Sequence, residues 1–420
     1  MMAQNRQNID VYRSLIFALF LASSMALVFG CGEAPVDAES DVGMDEDIAE
    51  DVEPDIPEPE PVTTDLSPGW HHIENTAARR TRHTAIRAGN KMIVWGGWGG
   101  DFYNTGQVYD PHAENFFSVW GPTNTLRAIE PRAYHTAIWT GDEMIVWGGM
   151  NGENETVKLA DGGRYSHETR NWQELAPSPL SGRAIHAAIW TGDEMIIWGG
   201  VLQNDEYATD GAAYDPQSDS WRTIDAPDGY TGREVYKTTV WTGEEMILWG
   251  GRLLNGVPAS DGWRYDPTND EWTEIAVPPE PINFRAAHTS IWTGEEIIIW
   301  GGYYASGSYA RETSRILSYN PTTDSWRIIP RDSITASGRN YPSGVWTGEE
   351  AIFFGGITDR AQNRGIRINP ATGVSQSLAD SNRPTARVAH SAVWLGAKMA
   401  VTGGDDRDGF ALSSTYVYVP

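Results

Sequence analysis

Residues 132–149 read Arg-Ala-Tyr-His-Thr-Ala-Ile-Trp-Thr-Gly-Asp-Glu-Met-Ile-Val-Trp-Gly-Gly, and this stretch decides the fold because the chain repeats it. The phrase returns with its double glycine ending at residues 97, 149, 200, 251, 302, 356 and 404. Successive pairs lie 52, 51, 51, 51, 54 and 48 residues apart. A period of about fifty residues indicates seven copies of one supersecondary unit.

Each copy predicts four strands. Thr-Gly-Asp-Glu at residues 140–143 marks a tight turn, and the apolar run at 144–147 predicts a second strand that is covered on both faces. The glycine pair ends this strand where backbones crowd together near an axis. Asp-Gly at 161–162 opens a third strand, and Tyr-Asp-Pro at 214–216 is typical of a turn into the fourth.

A tyrosine follows the glycine pair in most copies, and a tryptophan follows seven residues later, as in Tyr165/Trp172, Tyr214/Trp221, Tyr265/Trp272 and Tyr319/Trp326. This order of double glycine, Tyr and Trp resembles the kelch repeat of galactose-oxidase-like β-propellers, and the resemblance covers residues 69–420. It implies an all-β, seven-bladed propeller with four-stranded blades. Packing between blades then accounts for sixteen of the nineteen tryptophans, all except Trp98, Trp120 and Trp263.

The two chain ends predict how the ring closes. The last copy stops at Tyr418-Val419-Pro420, where a fourth strand containing Trp is due. That strand stands at the other end of the repeats, as Gly69-Trp70-His71-His72-Ile73. We therefore expect residues 69–74 to complete the seventh blade, which would remove the last free sheet edge.

The N-terminus predicts export. Arg6 and Arg13 precede an uncharged stretch from Ser14 to Gly30, the layout of a signal peptide at residues 1–30. Leu27-Val28-Phe29-Gly30-Cys31 resembles a bacterial lipobox, which implies lipidation of Cys31 and, with Gly32 after it, an outer-membrane lipoprotein of a diderm envelope. That resemblance leaves open whether the protein faces the periplasm or the medium. A single transmembrane anchor is the alternative for these seventeen residues.

Residues 31–68 are predicted to be an acidic, proline-rich tether. Positions 32–66 hold fourteen Asp or Glu, five Pro and no Lys or Arg, a composition that cannot bury enough apolar surface to fold. The tether explains about half of the formal net charge of −26. The remaining acidity still argues against a nucleic-acid ligand, which needs a basic face.

An Arg-x-x-His element opens the first strand of most copies and is the first candidate for ligand binding. On one mouth of the central channel, arginines would recognise carboxylate, sulfate or phosphate groups, and some kelch propellers bind acidic ligands in this way. In the alternative, each Arg pairs with a backbone carbonyl or a neighbouring acid and each His packs. The arginines are Arg80, Arg132, Arg183, Arg233, Arg285, Arg339 and Arg387.

The loops between the second and third strands differ from copy to copy, so individual function is expected there. They carry aromatic residues outside the repeat, and Trp98, Tyr207 and Tyr303 are the candidates that we assign to a ligand site. Aromatic loops beside arginines would suit a uronic-type glycan or an acidic peptide. The alternative is that these rings only pack the loops onto the propeller.

Paired acids such as Asp142/Glu143 recur in the hairpin turns of five copies, on the opposite face. Their recurrence indicates solvated turn residues, and the two faces should therefore differ in potential. Five histidines spread over separate blades do not predict a metal site, and we expect neither a metal nor another cofactor.

The function hypotheses are a binding module for a glycan or protein, an enzyme, and a purely structural envelope protein. Motifs for a nucleophile elbow, a zinc protease and a phosphate loop are missing from the sequence. A single cysteine excludes the Cys–Tyr copper site that the resemblance to galactose oxidase would imply. The enzyme alternative is an epimerase or lyase acting on an acidic sugar, with Tyr236, Lys237 or Tyr341 as the groups to test. We favour the binding module, as a monomer held at the membrane by lipid.

Overall fold

A computed structural model describes residues 66–73, 78–112, 120–123, 125, 127–152, 156–230, 235–253, 257–279, 284–306, 309–330 and 337–420. These residues form strands and turns, with no helix among them. Seven antiparallel sheets of four strands follow one another around a ring, which confirms the seven-bladed propeller. The first strands of neighbouring blades contact each other, so they are the innermost strands.

Within each blade the strands run in order from the innermost to the outermost. Blade 1 contains Thr84–Ala88, Lys91–Trp95, Gly106–Tyr109 and Trp120–Pro122; blade 2 contains Thr136–Trp139, Glu143–Trp147, Gly162–Ser166 and Asn171–Glu174. Blade 3 contains Ala187–Trp190, Met195–Trp198, Gly211–Asp215 and Ser220–Ile224; blade 4 contains Val235–Trp241, Met246–Arg252, Gly262–Asp266 and Glu271–Glu274.

The remaining blades follow the same order. Blade 5 contains Ala286–Trp292, Ile297–Ser306, Ile316–Asn320 and Ser325–Ile329; blade 6 contains Ser343–Trp346, Ala351–Phe354, Gly365–Ile368 and Ser375–Ser377. Blade 7 contains Ser391–Trp394, Met399–Thr402, Thr415–Val419 and Gly69–Ile73. Short loop strands add Met150–Asn151 with Val157–Lys158, Arg183–Ala184 with Val201–Leu202, and Tyr309–Glu312 beside the second strand of blade 5.

The core lies between blades. Each of the seven blade junctions holds its own cluster of buried apolar side chains. The tryptophan that ends a second strand packs against the outer-strand tryptophan of the next blade, as Trp198 does with Trp272 at 4.5 Å between ring centroids. This explains why second strands are apolar on both faces and why the Tyr and Trp positions repeat.

The predicted closure of the ring is confirmed. Gly69 pairs with Val419 and Ile73 with Thr415 in an antiparallel ladder. Trp70 is 2% exposed and lies 4.7 Å from Phe354 of blade 6, in the position that outer-strand tryptophans take elsewhere. Leu66, in the segment that the sequence assigns to the tether, packs against the cluster between blades 7 and 1.

We expect Trp70→Ala to lower the free energy of unfolding by about 3–5 kcal/mol, since it empties a buried indole site at the closing strand. The neighbouring His72 is exposed, so His72→Ala should change stability by less than about 0.5 kcal/mol. Urea unfolding followed by tryptophan fluorescence measures both. Equal effects of the two substitutions would contradict a closing role for this strand.

Candidate functional site

One face of the propeller carries the loops between second and third strands and the segments that lead into the first strands. We call it the loop face. Two residues per blade lie at the centre of this face, which we call the mouth. One follows the glycine pair directly, as Trp98 does in blade 1, and the other stands two residues after the repeat arginine, as Arg82 does.

The second of these positions forms an inner ring of backbone. It has left-handed φ angles between 53° and 58° in six blades, at Arg82, Tyr134, Ile185, Ala287, Tyr341 and Ala389. The amide of Tyr134 donates to the carbonyl of Arg82, and the amide of Ile185 donates to that of Tyr134. Backbone hydrogen bonds between neighbouring blades therefore hold these non-glycine residues in a left-handed backbone conformation that such residues usually avoid. The same bonds fix the position of each residue at the mouth.

The repeat arginines lie beneath this ring and not on its surface. Arg80, Arg132, Arg183, Arg285, Arg339 and Arg387 are each 0–1% exposed, while Arg233 lies outside the described residues. Arg132 is typical, because its Nη1 donates to the carbonyl oxygens of Gly148 and Asp161 at 3.0 Å. These contacts are those of our structural alternative. Ligand binding by these arginines stays a prediction, and such burial does not favour it.

The same arginines also join blades through their backbone. The carbonyl of Arg132 accepts the amide of Gly97 in blade 1, and the carbonyl of Arg80 accepts that of Gly404 in blade 7. Burial lowers the pKa of Arg80 to about 10, so its guanidinium remains charged at neutral pH. The charged guanidinium groups therefore donate hydrogen bonds to backbone carbonyl oxygens, and such charge-assisted hydrogen bonds are strong.

The histidines of the repeat also connect blades. Nε2 of His135 lies 2.9 Å from the hydroxyl of Thr84, and its ring meets the edge of Trp95 in the preceding blade. Thr136 and His186 repeat this contact at 2.7 Å. Burial lowers the pKa of His186 to about 3, so the ring is neutral at physiological pH. These side chains pack between blades, again as in the structural alternative.

One group of polar residues lies where blades 7, 1 and 2 meet. Arg82 Nη2 lies 3.7 Å from Oδ2 of Asp405, and the hydroxyl of Thr81 donates to the same oxygen at 3.0 Å. The Arg82 guanidinium lies over two rings, 5.5 Å from that of Tyr134 and 5.9 Å from that of Trp98. A donor, an acceptor and the half-buried ring of Trp98 thus share one place, with the buried ring of Tyr134 packed against Arg82.

The candidate aromatic residues fall into two groups. Trp98 is half-buried beside Arg82. On the far side of the mouth, burial raises the pKa of Tyr303, the neighbouring Arg252 lowers it, and Tyr207 raises it further. Tyr207 packs with Val201 and Tyr303 packs with Tyr341 on this side of the mouth, while Trp98 lies apart beside Arg82.

The groups named for the enzyme alternative are spread over two blades. Tyr341 belongs to the inner ring of blade 6 and is 5% exposed. Tyr236 and Lys237 lie in the first strand of blade 4, and Lys237 is near enough to His186 to lower the pKa of that ring. No group of three potential metal ligands occurs in the part of the chain that the structure describes.

Arg82, Asp405 and Arg252 were missed by the sequence analysis. Each is charged at a position that is apolar in most other blades. Ile185 and Ala287 occupy the position of Arg82, and Met150 and Val201 occupy the position that Asp405 and Arg252 share. The signal was a charged residue at a position that is otherwise apolar.

Comparisons with known proteins agree with the fold. Residues 68–241 match the KLHDC2/KLHL20/DRC7 Kelch-repeats domain, and residues 213–418 match the Attractin/LZTR1 beta-propeller. Together with the seven sheets, these matches define the chain as a β-propeller. More particularly, it is built from kelch repeats.

Individual relatives are distant. Kelch domain-containing protein 3 of Homo sapiens is 24% identical over 311 residues, which cover 68% of this chain and 80% of that protein. Beta-scruin of Limulus polyphemus is 25% identical over 230 residues, which cover 51% of this chain and 24% of that protein. The solved structure of YjhT is similar in fold, with a TM-score of 0.57 and 17% identity over 73% of this chain and 99% of that one.

The Asp405–Arg82 contact predicts a pH dependence. Burial raises the pKa of Asp405, and Arg82 and Thr81 only partly offset this. Because the folded-state pKa lies above the unfolded one, stability from this group is present at low pH and is lost as pH rises through the folded pKa. We expect Asp405→Asn to gain stability over the unsubstituted protein between pH 3 and pH 7. Urea unfolding at several pH values measures this, and a relative loss at pH 7 would show that Arg82 outweighs burial.

Proposed function

We propose that this kelch propeller is a binding module that takes a protein partner on its loop face, centred on Arg82, Asp405 and Trp98, with the buried Tyr134 ring supporting Arg82. Kelch propellers typically mediate protein interactions. The observation that carries the proposal is the charged and aromatic cluster at the mouth, where the equivalent positions of most other blades are apolar. Polar groups that break an otherwise structural repeat are candidates for recognition.

Exposed apolar side chains on the same face support a protein partner. Phe410 is 67% exposed on the loop of blade 7, Val157 is 45% exposed on that of blade 2, and Val257 is 39% exposed on that of blade 4. Apolar residues around a polar centre suit a protein surface. A glycan stacked on Trp98 is the second candidate, because Arg82 and Asp405 offer a donor and an acceptor beside that ring. The described site gives no reason to prefer the epimerase or lyase alternative over either ligand.

We expect Arg82→Ala to weaken partner capture at least tenfold, which corresponds to about 1.4 kcal/mol. Alanine already occupies this left-handed position at Ala287 and Ala389, so the ring should tolerate it. Arg87→Ala is the matched control, since Arg87 is exposed on the same blade and lies away from the mouth. The measurement is quantitative mass spectrometry of envelope proteins retained by immobilised full-length protein, with a glycan array in parallel.

Capture that survives both Arg82→Ala and Phe410→Ser would remove the loop face from consideration. Array binding that depends on Arg82, without any retained protein, would identify the ligand as a glycan and not a protein. Turnover of such a glycan on incubation would revive the enzyme alternative.

We also propose that the module is held at the envelope of a diderm bacterium, with residues 1–30 as signal peptide and residues 31–68 as the tether from a lipidated Cys31. Cys31 and most of the tether lie outside the described residues. The support is the sequence at 27–31 together with the acidic composition of 32–66. No helix in the described part of the chain is long and apolar enough to cross a membrane.

Cys31→Ser should move the protein from the membrane fraction to the soluble fraction, because the thiol is the attachment point for lipid. Fractionation with immunoblotting, and mass spectrometry of the N-terminal peptide, measure the change. Retention of the variant in the membrane would favour the transmembrane anchor.

A further inference from the structure

The face opposite the mouth carries a repeated ion pair. In blades 2 to 6, a glutamate stands at the start of the second strand or directly before it. An arginine of the same blade forms an ion pair with this glutamate. The distances are 3.8 Å for Arg164–Glu143, 2.7 Å for Arg222–Glu194, 3.7 Å for Arg264–Glu245, 2.5 Å for Arg327–Glu296 and 3.5 Å for Arg367–Glu350. The arginine comes from the third strand in blades 2, 4 and 6 and from the outer strand in blades 3 and 5.

Blades 1 and 7 reverse the charge at this position. Lys91 takes the place of the glutamate in blade 1 and pairs with Asp110 at 3.2 Å. Lys398 takes it in blade 7, where Val417 and His71 stand in the two positions that supply arginine elsewhere. The repeat therefore supplies no acid to balance Lys398.

Lys398 is 6% exposed, and within the described part of the chain its ammonium makes no hydrogen bond or ion pair. Burial lowers the pKa of this ammonium, and no neighbouring charge among the described residues offsets that effect. The ammonium is therefore partly desolvated and has no charge partner among those residues, and a carboxylate beside it would offset that cost.

The acidic segment enters the propeller at this point. Leu66 packs against the cluster that contains Leu395, and the amide of Leu395 bonds to the carbonyl of Lys398 at 2.9 Å, closing the turn. Met399, the next residue, pairs with Tyr418, one step from the pair Gly69–Val419. The residues that precede Leu66 carry fourteen carboxylates from Glu33 to Asp65 and no Lys or Arg.

We propose that Lys398 forms a carboxylate-binding site on the face opposite the mouth, and that an Asp or Glu of the chain's own segment 33–65 is its ligand. The site would fix the direction in which the acidic segment leaves the propeller. It completes in blade 7 the ion pair that the other six blades make internally, with the reversed polarity that blade 1 also has. This inference is independent of the loop-face proposal.

Zero-length carbodiimide coupling of the full-length protein tests this assignment, because it joins only amines and carboxylates in contact. A mixture of isotopically light and heavy chains separates links within one chain from links between chains. We expect Lys398 to be joined to an acid within residues 33–65 of the same chain. The Lys91–Asp110 pair provides the internal control, since its 3.2 Å contact should couple.

Amine acetylation gives a second readout that does not depend on coupling. Salt weakens ion pairs near a surface, so acetylation of Lys398 should rise several-fold between 20 mM and 500 mM NaCl. The rise should disappear in Glu58→Gln/Glu60→Gln/Asp65→Asn if these nearest acids supply the ligand, and Lys91 should respond identically in both proteins.

Coupling of Lys91 to Asp110 without any link from Lys398 would overturn the proposal. So would links from Lys398 only to the α-carboxylate of Pro420 or only to another chain. Salt-independent acetylation together with absent coupling would lead to the same conclusion. A salt response that survives the triple substitution, with a coupled acid between 33 and 55, would support the site and place its ligand further along the segment.

Discussion

The propeller depends on the arginine that precedes the innermost strand in the six blades where the structure describes it. Its guanidinium binds the end of the second strand and the start of the third within its own blade, as Arg387 does with Gly403 and Ser414 at 3.1 Å. Its carbonyl accepts a glycine amide from the preceding blade. One residue therefore fixes the shape of its blade and its neighbour's position. An uncharged side chain of the same length could not saturate these carbonyls equally well.

The fold could be predicted from the sequence because the repeated residues occupy equivalent packing positions in successive blades. The glycine pair, the Tyr and the Trp each occupy a packing position between blades, so period and composition led directly to the seven sheets. Ring closure followed from the same logic, since Trp70 matches Trp221 and fills a place that the last copy leaves empty. Repetition makes such signals strong even at low identity to known proteins.

The site was much less predictable, for a related reason. Residues shared by most copies, such as Arg132 and His135, are the ones that packing requires, and they are buried. Residues that reach the mouth differ between blades. Arg82, Asp405 and Arg252 stand out only when the copies are aligned and the exceptions are examined. Arg82 meets Tyr134 of blade 2 and Asp405 of blade 7, and these contacts depend on blade order and cannot be derived from one repeat alone.

The closure of the seventh blade also affects when the protein can finish folding during synthesis. Its outer strand, residues 69–73, is made at the start of the propeller, and its partner, residues 415–419, is made at the end. At roughly 5–20 residues per second of synthesis, the early strand waits roughly 20–70 s for its partner. Six blades can form in order behind it while the ring stays open. The nascent protein must therefore keep a short, aromatic strand away from foreign sheet edges until the seventh blade has been translated.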